Sequence, residues 1–127
     1  MEIETTAENN SLYSVVTGLF TLEESKRLFI VLLESVKEHQ YTKVLVDARQ
    51  VTGQLTTMER FYYAEFCASE VSKFENTYSL FPIFAYVVHE PILDPGRFGE
   101  NVAVNRGMRV KMFENFEDAR EWIEQMK

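Results

Sequence analysis

The sequence predicts an α/β fold built on a mixed, mainly parallel sheet, and three observations carry that prediction. Two runs, Lys43-Val44-Leu45-Val46-Asp47 and Phe81 to Val88 (FPIFAYVV), are almost continuously apolar, as a strand reads when both faces of its sheet are covered. Segments with helical spacing separate and follow them, and strands that alternate with helices pair in parallel through right-handed crossovers. At the start, β-forming residues flank Asn9-Asn10, a hairpin signal that adds one antiparallel edge strand. The expected order is β-β-α-β-α-β-α-β-α, about five strands flanked by four helices, in a single domain over residues 1–127.

Each element follows from local chemistry. Met1 to Ala7 and Leu12 to Thr17 form the hairpin arms, and Gly18 is expected to break the second strand. Thr21-Leu22-Glu23-Glu24 has capping-box spacing, opening a helix to about Glu38 with Leu22, Phe29, Leu32, Leu33 and Val36 on one stripe. After the strand ending at Asp47, a loop from Ala48 to Leu55 leads to a second capping box, Thr56-Thr57-Met58-Glu59, and a helix to about Lys73. Pro82 can only begin its strand, because an interior proline removes a ladder hydrogen bond. Asp94-Pro95 predicts a cap with proline at the first helical position, giving a short helix from Pro95 to Arg106 that Gly107 terminates. Met108 to Phe113 is the last strand. Asn115 caps a final helix that buries Ala119, Trp122, Ile123 and Met126.

Composition narrows the function classes. The formal net charge of −7 opposes binding to phosphate backbones and anionic lipid surfaces, and no cluster of Lys and Arg offsets it locally. Nucleic-acid and membrane partners are therefore not expected. The amino terminus carries acid where a signal peptide needs a positive region, and no apolar stretch approaches the roughly 18 residues of a membrane span. A cytoplasmic protein is the expectation. Cys67 is the one cysteine; with Ala64 and Ala68 beside it on the helix, it reads as a small buried residue. Motifs for serine hydrolases, zinc proteases and glycine-rich phosphate loops are missing. No enzymatic activity, no cofactor and no metal are expected.

The run Asn105-Arg106-Gly107-Met108-Arg109-Val110-Lys111-Met112-Phe113, followed by Phe116-Glu117-Asp118-Ala119-Arg120-Glu121-Trp122, resembles the SpoIIAA-like family of STAS-type domains, as does Val44-Leu45-Val46-Asp47-Ala48-Arg49 with the loop and helix after it. The resemblance implies a sheet of four or five strands flanked by helices. It also implies, by likeness to the members that antagonise anti-sigma factors, a phosphorylatable hydroxyl at the start of the helix after the central strand. Gln54-Leu55-Thr56-Thr57 matches that stretch, with threonine in place of serine and Leu55 where an acidic residue is expected.

Three groups of residues are candidates for function. Ligands of open α/β sheets bind outside the carboxyl ends of the parallel strands, which would collect Asp47, Arg49, His89, Glu90 and Arg97 for a small apolar or anionic ligand. Asp47 paired with Arg49 as a turn element, and His89-Glu90 as a solvated strand exit, are the plainer readings. Thr56 and Thr57 form the second group, a phospho-acceptor or anion site at a helix start, with simple capping as the alternative. Third, Tyr62, Tyr63 and Phe66 fall on the charged face of their helix, where aromatic side chains mark an interaction patch unless Phe74 to Leu80 folds back over them. The expected function is a non-enzymatic STAS-type interaction or regulatory module that contacts a protein partner or a second copy of itself, as in a homodimer. A small-molecule carrier or sensor is the alternative.

Overall fold

The computed structural model describes residues 1–126. Strand β1 (Glu2–Glu8) pairs antiparallel with β2 (Ser11–Leu19), Glu8 opposite Ser11. Asn9 and Asn10 turn between them at φ 50° and 61°, the left-handed pair that a two-residue hairpin requires. Gly18 does not end the strand. It sits at φ 108°, where a Cβ would come within 3.0 Å of the Met1 Cα, so its lack of a side chain lets β1 lie close beside it.

Helix α1 (Leu22–His39) follows, then β3 (Lys43–Thr52), α2 (Thr57–Tyr78), β4 (Ile83–Val87), α3 (Phe98–Asn105), β5 (Val110–Phe113) and α4 (Phe116–Gln125). The order is the predicted one, and the differences lie at boundaries. Thr21 caps α1 by accepting the Glu24 amide at 3.3 Å, but the Glu24 carboxylate takes the Thr21 hydroxyl and the Met1 amino group, so the box is half formed. Strand β3 runs five residues past Asp47 because Gln50, Val51 and Thr52 still pair with β2 after β4 has ended; with one neighbour gone, exposed Arg49 and Gln50 are tolerated there. Helix α2 continues to Tyr78 and buries Phe74. Helix α3 begins three residues later than predicted. Asp94 uses its carboxylate on the amides of Gly96 and Phe98, and Arg97 occupies the cap position at φ 54°.

The sheet order is β1-β2-β3-β4-β5, parallel except for the first pair. Spatial order equals chain order, so successive right-handed crossovers place α1, α2 and α3 on the same face. Only α4, which follows the last strand, returns to the other face. Side-chain alternation along β3 then serves two cores. Val44, Val46 and Ala48 join Leu12, Phe29, Val36, Val71 and Phe84 beneath the three helices. Leu45 joins Ile83, Ala85, Val87, Ala119 and Ile123 beneath α4. This two-sided burial is why the β3 and β4 sequences read as unbroken apolar runs.

Candidate functional site

The residues predicted to meet at the strand ends divide between the two faces. Asp47 points to the α4 side and is 4% exposed. Arg49 Nε and Nη2 donate to its two carboxylate oxygens at 2.9 and 2.7 Å, the Arg49 amide adds a bond at 3.2 Å, and the Tyr13 hydroxyl adds another at 3.1 Å. The Arg49 hydrogen bonds hold the Asp47 carboxyl below its ordinary pKa against the opposing effect of burial. The guanidinium also stands 5.1 Å above the Phe116 ring. With this many donors the carboxylate is satisfied, and the arrangement ties β2, β3 and α4 together.

His89 and Glu90 are exposed, and a His89 ring nitrogen lies 3.2 Å from the Glu114 carbonyl oxygen. Arg97 lies on the opposite face of the sheet, donating to Glu100 at 3.0 Å and to the Met112 carbonyl at 2.6 Å. Asp47 and Arg49 are brought together, but among the described residues no hydrogen bond or ion pair joins them to His89, Glu90 or Arg97. A crevice at the strand ends forms where the strand order reverses and neighbouring crossovers go to opposite faces. The monotonic order of this sheet has no such point.

The start of α2 is built as its sequence dictates. Thr56 Oγ1 accepts the Glu59 amide at 3.0 Å, and Glu59 accepts the Thr56 amide at 2.8 Å, a complete capping box. Thr57, the first helical residue, is exposed. The three aromatic residues that follow are not one outer patch. Tyr62 is 46% exposed, whereas Tyr63 and Phe66 pack against the core beneath the helices. Residues 74–80 do not fold back over Tyr62: Phe74 to Tyr78 extend the helix instead. Met58 is 54% exposed and lies one turn before Tyr62, so Met58 and Tyr62 form the exposed apolar surface of the first turns of α2.

Between the sheet and α1–α3 lies a cavity of about 130 Å³. Phe29, Val46, Ala64 and Val110 are among its apolar walls, and Ser25, Tyr63, Cys67 and Tyr86 are among its buried polar groups. The Tyr63 and Tyr86 hydroxyls are 3.3 Å apart. Burial pushes both phenols and the Cys67 thiol well above their ordinary pKa values, so the thiol is held protonated and is a poor nucleophile. Arg60 also lines this cavity. It stands four residues before Ala64 and seven before Cys67, on the buried stripe of α2, and is not among the candidate residues that the sequence predicts. A charge on that stripe was the available signal.

No protein-family model and no curated protein matches the chain. Solved structures do. The NMR structure of the protein TM1081 superposes with a TM-score of 0.54 at 12% identity, over 96% of this chain and 88% of that one. RsbS of Moorella thermoacetica, in a serine-to-glutamate form, superposes with a TM-score of 0.56 at 9% identity, over 98% and 96%. This chain has the SpoIIAA-like STAS fold. At these identities the likeness concerns architecture alone. Among the described residues, no helix of this STAS fold is long and apolar enough to cross a membrane, and no three His, Cys, Asp or Glu side chains are grouped to hold a metal ion.

Proposed function

We propose that this STAS-fold chain is a non-enzymatic interaction module that contacts a protein partner or a second copy of itself through the first turns of α2. The observation that carries the reading is the exposure of Met58 and Tyr62, 54% and 46%, one turn apart beside the capped helix start. Large apolar side chains at such a position contribute affinity when a partner removes them from water. Thr57 sits at the edge of this surface. Its side chain takes no part in the capping box, which uses the hydroxyl of Thr56. A phosphoryl group on Thr57 would meet the favourable end of the helix dipole and place about two negative charges beside the contact surface. The fold likeness to RsbS supports a regulatory role of this kind.

A photo-crosslinking amino acid at position 62, compared with one at position 78, tests the reading in the native host. Tyr78 is also exposed, at 42%, but lies at the far end of the same helix. Cross-links at position 62 alone, identified by mass spectrometry as one partner or as a dimer and lost in Met58→Ser, are the expected result. Equal labelling at both positions, or none at 62, counts against the proposal.

A further inference from the structure

Arg60 is bonded to backbone carbonyls but to no anion. Its Nη1 donates to the Leu55 carbonyl at 2.9 Å, and its Nη2 donates to the carbonyls of Pro91 and Ile92 at 2.7 and 3.4 Å. Its Nε is buried and has no hydrogen-bond acceptor. None of the ion pairs among the described residues includes it. The two acids on the same cavity wall are engaged elsewhere: Glu100 pairs with Arg97 at 3.0 Å, and Asp94 holds the amides of Gly96 and Phe98. Burying a guanidinium donor without an acceptor is costly, and an unsatisfied buried group calls for an explanation.

The cavity that Arg60 borders has walls of aliphatic and aromatic side chains. Its volume of about 130 Å³ is close to that of engineered apolar cavities of about 150 Å³ that stay dry and admit benzene. A space of this size takes one six-membered ring or a chain of about five or six carbons, far short of a phospholipid. Arg60 supplies what such a body lacks. A carboxylate attached to it would bring the guanidinium the counter-charge that no acidic side chain supplies.

We propose that the cavity between the sheet and helices α1–α3 is a binding site for a small monocarboxylic acid with an apolar body the size of a benzene ring, its carboxylate directed at Arg60. This site is separate from the α2 contact surface, because neither Met58 nor Tyr62 lines the cavity. Failure of one proposal therefore leaves the other standing.

The test is a titration of the ¹⁵N-labelled full chain at neutral pH with three ligands of similar ring and differing charge: benzoate, benzyl alcohol and benzylammonium. Benzoate is expected to saturate, with the largest shifts at Val46, Ala64, Ala103 and Val110, and to bind at least tenfold more tightly than benzyl alcohol. Benzylammonium is expected to bind most weakly. Arg60→Gln should reduce benzoate to the affinity of benzyl alcohol while leaving benzyl alcohol unchanged. Should Arg60→Gln fail to fold, the ranking of the three ligands on the unaltered protein decides. The proposal is overturned if none of the three saturates, if benzoate and benzyl alcohol bind equally, or if the cation binds best.

Discussion

The hydroxyl of Tyr63 on α2 lies 3.3 Å from the hydroxyl of Tyr86 on β4, the one direct polar link described between that helix and the sheet face beneath it. Both phenols belong to the cavity lining and sit in apolar surroundings where water is excluded. Replacing one of them leaves the other hydroxyl without its phenolic partner. Tyr86→Phe is expected to lower stability by about 1–2 kcal/mol, the usual cost of an unsatisfied buried polar group. The Tyr63→Phe/Tyr86→Phe double variant should cost less than the sum of the two single changes, since neither orphan remains. Urea denaturation of the four proteins gives the coupling directly.

Acid should act through Asp47. Its pKa is depressed in the folded protein, chiefly by the Arg49 hydrogen bonds, so the group stabilises the fold above its unfolded pKa and that contribution is lost as pH falls through the folded value. Arg49→Met removes two of the four donors and leaves a buried carboxylate. Because the Arg49 side chain is 40% exposed, the full cost of breaking a buried pair does not apply, and a loss of about 1–2 kcal/mol at neutral pH is expected. The variant's Asp47 pKa rises, so its acid unfolding, followed by circular dichroism, should begin at a higher pH than that of the parent.

The helix start separates two adjacent threonines. Thr56→Ala removes the acceptor of the Glu59 amide and is expected to cost about 1 kcal/mol. Thr57→Ala at the next position should change stability by less than about 0.5 kcal/mol. Thermal melts of the two variants check the contrast, and equal effects would show that the cap is not what holds the first turn.

Cys67 should be silent toward thiol reagents. It is 2% exposed and its thiol is held protonated by burial. Labelling by an aromatic disulfide reagent is expected only as fast as the protein opens, rising steeply in denaturant. Rapid labelling of the folded chain would contradict the burial of this helix face.

The sequence made the architecture legible because each strand and helix announces its environment locally. Val44 to Val46 and Ile83 to Val87 are apolar on both sides since each serves two cores, and Asn9-Asn10 specifies its turn through backbone preference alone. Boundaries were harder where tertiary partners decide them. Strand β3 runs to Thr52 because β2 remains beside it, and nothing local to Arg49-Gln50 states that. Asp94-Pro95 fits a helix cap by sequence, whereas Asp94 uses its carboxylate on the turn before Phe98. The candidate site was the least legible part. Asp47 lies within β3 and Arg97 follows β4, yet they occupy opposite faces of the sheet, a fact set by strand order, which the sequence does not spell out. Tyr63 and Phe66 fall among charged residues on the helical wheel, yet both pack against the core beneath the helices. Arg60 is legible from its stripe position, although its charge suggests solvent.

Strand order identical to chain order also bears on how the molecule is assembled during synthesis. Each new strand emerging from the ribosome finds the strand it must pair with already in place, so no gap has to be held open for a later segment, and loop-closure costs stay small for a parallel sheet. The α4 face is the exception. Its apolar row of Leu45, Ile83, Ala85 and Val87 is complete before α4 is made, and it stays wet until α4 arrives. For a nascent or truncated chain ending near Asn115, that uncovered row is the surface on which aggregation would begin and on which a chaperone would act.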